Sequence, residues 1–147
     1  MSYTVGEMSK ILGVPASTLR YYDKQGLLPF VERSKGGIRL FQDVDLEWLR
    51  IIECLKKSGM SLSEIKRFIL LSMDGDDSID ERLALMQKQY EVVHQQMLEL
   101  QETLNTVEYK CWYYQTAKER GTLEGMNEVE VPKRFKNVVS RLKNKEE

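Results

Sequence analysis

The sequence predicts a mainly α-helical chain: a compact head of short helices and one hairpin, then one long helix, then a short tail. Three observations predict it. Short amphipathic segments with their own start and stop residues fill the first half. A glycine pair sits among basic residues at positions 33–39. A heptad of apolar residues then runs unbroken over positions 79–114.

Thr4 and Glu7 form a T-x-x-E capping box, which starts a helix. Val5, Met8, Ile11 and Leu12 follow at helical spacing, and Gly13 stops it. Pro15 suits the first turn of a second helix, over residues 16–25, with Leu19 and Tyr22 on its inner face and Gly26 at its end. Two short helices across a tight glycine turn are a helix-turn-helix pattern. Pro29 excludes helix from the next segment, and Gly36-Gly37 supplies a turn. Phe30-Val31 and residues 38–41 are expected to pair as a hairpin, a wing after the helix-turn-helix. Asp43 is expected to cap a third helix with Val44, Trp48, Ile51, Ile52 and Leu55 as its buried stripe, ending at Gly59. Ser61 and Glu64 form a second capping box for a fourth helix, and residues 73–78 are expected to be a loop.

The long helix is the clearest periodic feature. Ile79, Leu83, Met86, Tyr90, Val93, Met97, Leu100, Leu104, Val107, Cys111 and Tyr114 alternate steps of four and three. A helix of these 36 residues extends on the order of 54 Å at about 1.5 Å per residue. Its narrow apolar seam needs a second helix of equal length, so a homodimer is expected, in either helix orientation. Expected domain limits are 1–73 for the head, 79–118 for the dimerisation helix and 119–147 for the tail. The tail carries Phe135, Val138, Val139 and Leu142 at near-helical spacing.

Of 147 residues, 22 are Lys or Arg and 23 Asp or Glu, for a net charge of −1. Residues 1–72 hold 11 basic and 8 acidic residues, a balance of +3, and the remainder is −4. The head is thus the better candidate for an anionic partner. No apolar run approaches the roughly 18 residues of a membrane span, and the N-terminus lacks the pattern of a secretory signal, so a cytoplasmic location is expected. Cys54 and Cys111 lie outside any C-x-x-C pair, and His94 is the sole histidine. No metal site, cofactor or catalytic constellation is expected, and an enzyme is the least favoured class. A structural coiled-coil adaptor would explain the heptads but not the basic, aromatic stretch at residues 18–28 or the wing arginines.

The segments TVGEMSKILGVPASTLRYYDKQGLL, a wing ending in RLF, and CLKKSGMSLSEIKRFI before a dimerising helix resemble the MerR family of bacterial transcriptional regulators, over about residues 3–114. The resemblance implies a winged helix-turn-helix DNA-binding domain and an antiparallel coiled-coil dimer. It also implies a dimer that bends and untwists a promoter spacer so that RNA polymerase can engage both promoter elements. By the same resemblance, Ser17, Thr18, Arg20, Tyr21 and Tyr22 would face DNA from the second helix, and Arg33, Gly37 and Arg39 from the wing. Phe41 stands where the family usually has tyrosine. Arginine suits this work because it bridges two base acceptors or clamps phosphate, while hydroxyls bind phosphate and set register. Tyr22 also shares a face with Leu19, so core anchoring is open for it.

CLKKSGM further resembles the aldehyde- and electrophile-responsive branch, which carries one cysteine there. Cys54 is therefore the expected sensor, at the border of the third helix's buried stripe and near Arg50, Lys56 and Lys57. Nearby cations favour a thiolate, the form that attacks a reactive electrophile. Cys111, on the seam, is a secondary candidate. Oxidants or a small apolar ligand are the alternative signals.

Overall fold

A computed structural model describes residues 1–144. These form two compact units, Met1–Val92 and a second beginning at Val93. The first opens with strand β1 (Ser2–Tyr3), then helices α1 (Val5–Leu12) and α2 (Ala16–Lys24). Strands β2 (Glu32–Arg33) and β3 (Arg39–Gln42) follow, then α3 (Asp43–Lys57) and α4 (Leu62–Met73). Helix α5 (Ile79–Arg120) starts in this unit and supplies most of the next, which ends in α6 (Lys136–Lys143).

The local start and stop residues act as their chemistry requires. Thr4 and Glu7 exchange bonds as a capping box, and Gly13 closes α1 in the left-handed conformation with φ +69°. That closure turns the chain directly into α2. Ser61 Oγ accepts the Glu64 N–H at 3.2 Å, one half of the expected capping box. The third helix differs from expectation. Its cap is Gln42, whose N–H donates to Asp45 Oδ2 at 2.7 Å. Asp43 instead accepts the Tyr3 hydroxyl at 2.8 Å and the terminal amine at 3.2 Å. The Tyr3 hydrogen bond, chiefly, holds its carboxyl below the usual carboxylate range. So a side chain expected to serve its own helix ties β1 to that helix, a contact no local pattern encodes.

The wing also shifts from its expected strands. Phe30 and Val31 are half-buried and pack against the core rather than pairing. The ladder pairs Glu32 with Leu40 and Arg33 with Arg39. Apolar burial took the two residues that β-propensity had suggested for the ladder. β1 adds a third strand on the other side of β3, with Tyr3 opposite Phe41. Gly37 turns the wing tip at φ +79°, a backbone state only glycine adopts without strain. Residues 73–78 are more ordered than a loop: Gly75–Ser78 form a 3-10 turn, and Ser78 is buried with its hydroxyl on the Leu71 carbonyl.

Met8, Leu19, Leu27, Phe41, Leu49, Ile52, Ile65 and Ile69 form the core of the first unit, each 1% exposed or less. Met86 of α5 packs against that core. Gln89 donates to Ser58 Oγ at 2.7 Å. In the second unit Met126, Phe135 and Val138 are buried, and the Phe135 ring lies 5.8 Å from Tyr109 and 6.0 Å from Trp112. Arg141 pairs with Glu102 at 2.8 Å. The tail helix is therefore packed on α5.

The heptad seam behaves oppositely. Leu83 and Tyr90 in the first unit, and Met97, Leu100, Leu104, Val107 and Tyr114 in the second, are exposed, with Leu100 at 70%. Met97, Leu100, Leu104 and Val107 line a depression of about 530 Å³.

Candidate nucleic-acid interface

Helix α2 sorts its residues by face. Leu19 and Tyr22 point into the core, while Ser17, Arg20 and Tyr21 are exposed and Thr18 is half-buried. The exposed set contains a guanidinium, a phenol and a hydroxyl, all donors to phosphate or base acceptors. Of the wing residues, Gly37 and Arg33 are exposed, whereas Arg39 is half-buried, its side chain 22% exposed. Phe41 of β3 is fully buried, so its ring serves the core.

Tyr22 departs from the DNA-facing assignment. It is 0% exposed. Its hydroxyl donates to Glu53 Oε1 at 2.6 Å and accepts from Lys56 Nζ at 2.9 Å. Both partners lie one turn apart on α3, so this residue joins the two helices. Burial first, then the Glu53 bond, pushes the Tyr22 phenol up, so it stays protonated as the donor. The Tyr22 hydrogen bond pushes Lys56 up, so it stays charged. Glu53 escaped sequence analysis, and Lys56 entered it only as a cation near Cys54. Their spacing of three places them on one helix face, but nothing local points them at a tyrosine 31 and 34 residues away.

Asp23 was also missed. It accepts from Arg33 Nη2 at 3.4 Å and pairs with Arg39, so one carboxylate of α2 holds both wing arginines. The signal was an acidic residue inside a basic stretch.

Cys54 is exposed and not at a buried border. Helix α3 buries Leu49, Ile52 and Leu55, and residue 54 falls outside that stripe. The thiol lies in a surface depression of about 380 Å³ lined by Glu53, Lys56 and Lys57. Cys111 is exposed too, beside Trp112, Arg134 and Phe135. Among the described residues no group of three or more His, Cys, Asp and Glu could hold a metal ion, and no helix is long and apolar enough to cross a membrane.

Comparison with known proteins finds relatives of this fold. Residues 3–71 match the family described as MerR HTH family regulatory protein, and residues 46–108 match the one described as MerR, DNA binding. An uncharacterised HTH-type transcriptional regulator of Haemophilus influenzae is 46% identical over 132 residues, covering 90% of this chain and 98% of its own. The crystal structure of HiNmlR, a MerR family regulator lacking the sensor domain and bound to promoter DNA, is 45% identical with a TM-score of 0.79, covering 90% of this chain and 100% of that one. A MerR family regulator from Bacillus thuringiensis is 41% identical with a TM-score of 0.70, covering 76% and 97%.

Proposed function

Because the chain belongs to the MerR family of DNA-binding transcriptional regulators, we propose that it acts on promoter DNA in the cytoplasm as a homodimer joined along the α5 seam. Each protomer would set α2 in a major groove, with its wing on the flanking backbone. The dimer would distort the promoter spacer, at a cost of several kcal/mol offset by backbone contacts, and so bring the promoter elements into register for RNA polymerase.

The observation that carries this reading is the exposed face of α2, Ser17, Arg20 and Tyr21. It is supported by 45% identity over 90% of the chain with a regulator held on promoter DNA. Arg20→Ala is expected to weaken operator binding by about 1–3 kcal/mol, read as the midpoint of a gel shift on the cognate promoter. An unmoved midpoint would count against α2 as the reader.

The signal we assign to Cys54. Its thiolate would add to an electrophilic carbon. With an aldehyde, a C–S bond forms and the carbonyl oxygen takes a proton, giving a hemithioacetal. Two things favour this position. The thiol is exposed, and its depression is walled by Glu53 and Lys56, the side chains that hold the Tyr22 hydroxyl of α2. An adduct there would disturb the seat of the recognition helix, which is how a small reaction could change the angle of the two heads. Cys54→Ala is expected to keep operator binding but abolish the response to reactive aldehydes in a promoter-reporter assay. A full response in the mutant removes Cys54 as sensor and leaves Cys111 or a non-covalent apolar ligand. Intact-mass spectra after aldehyde, quinone and peroxide exposure separate an aldehyde or electrophile from an oxidant.

A further inference from the structure

Arg33 and Arg39 face each other directly across the β2–β3 ladder. Like charges in that position repel, and a ladder this short has little else to hold it together. Asp23 of α2 resolves the conflict, since its carboxylate accepts from Arg33 and forms an ion pair with Arg39. The two arginines are not held alike. Arg39 is the inner one, its side chain 22% exposed. The Arg33 side chain is 55% exposed. Its two contacts, to Asp23 and to the Gly37 carbonyl, are both at 3.4 Å, beyond the usual range for an N–H···O bond.

We propose that Asp23 is a positioning residue that pins the wing to the recognition helix through Arg39, and that it leaves Arg33 as the arginine released to a DNA phosphate. One carboxylate against two guanidiniums leaves a surplus positive charge at the wing, and the exposed, loosely held arginine carries it. Arg39 then belongs to the protein's own framework, unlike the DNA-facing role that family resemblance implies for it. The proposal rests on the DNA-binding function above.

The test is the salt dependence of operator binding by the full-length chain. Each phosphate contact contributes about 0.9 to the slope of log K against log salt. Arg33→Ala is expected to reduce that slope by about 0.9 for each wing engaged. Arg39→Ala is expected to leave the slope unchanged while affinity falls. Asp23→Asn is expected to lower operator affinity but not affinity for random duplex, so their ratio falls, and Asp23→Glu restores part of it. A merely structural loss would reduce both affinities in parallel and would not respond to the conservative variant. Circular dichroism melts of each variant identify any that fail to fold, and the Arg33→Ala and Arg39→Ala slopes test the proposal without Asp23 variants. If the wild-type chain binds and the two arginine variants lose slope equally, or only Arg39→Ala loses it, the division of labour is overturned. If the wild-type chain shows no salt-dependent binding to duplex DNA, the DNA-binding function falls and takes this proposal with it.

Discussion

Replacing Leu100 and Leu104 together with lysine is expected to leave the protein monomeric in sedimentation equilibrium and to weaken operator binding on the order of 100-fold to 10,000-fold. The magnitude follows from avidity. A dimer binds its second half-site as an intramolecular step, and a monomer forfeits that gain without losing any contact of its own. The substitutions target the middle of the exposed apolar run, where Leu100 is 70% and Leu104 is 49% exposed. Both lie in the depression that also includes Met97 and Val107. In a lone chain these side chains gain little from being apolar, and lysine there would cost almost nothing. Against a second helix, four ammonium groups would lose water in a closed seam with no carboxylate partner supplied, which is strongly unfavourable. Folding and association thus respond differently: a melt of the head should hardly change while the assembly disappears. A double variant that stays dimeric would rule out the seam as the joining surface.

Tyr22→Ala is expected to give the largest loss of stability, about 3–5 kcal/mol, from an aromatic side chain removed from a filled core. Tyr22→Phe isolates a different quantity. It keeps the ring but leaves Glu53 and Lys56 without the hydroxyl between them, at a cost of about 1–3 kcal/mol. Urea unfolding at one fixed protomer concentration checks both, because dimer stability depends on concentration. The ordering of Ala well below Phe, and Phe below the native chain, is the expected result. A Tyr22→Ala protein as stable as the native one would show that the residue is not seated as described. The same pair bears on function. If the hydroxyl clamp seats α2, Tyr22→Phe should weaken operator binding although the side chain has no exposed surface from which to touch DNA.

Much of this architecture is legible in the sequence. Capping boxes, glycine stops and the heptad are local, and their consequences follow within one or two helical turns. Thr4, Gly13 and the run from Ile79 to Tyr114 are examples. The exposed face of α2 was legible for the same reason, since Leu19 and Tyr22 set the buried side and Arg20 and Tyr21 fall opposite it. Where expectation failed, a residue's partner came from elsewhere in the chain. Asp43 had the right chemistry for a cap but met Tyr3, 40 positions away. Phe30 and Val31 had strand propensity, and the core claimed them.

The sequence by itself determined that this protein has a helix-turn-helix head, a basic wing and a helix bearing one apolar seam. These follow from residue spacing, which is a property of neighbours. Only the tertiary structure decided what the polar groups do. It joined the Tyr22 hydroxyl to Glu53 and Lys56, set Asp23 between two arginines, and left Cys54 open to solvent. A charged or hydroxylated side chain is equally able to serve DNA, solvent or another residue. Which of these it serves depends on what packing brings within about 3 Å, and spacing along the chain carries no record of that distance.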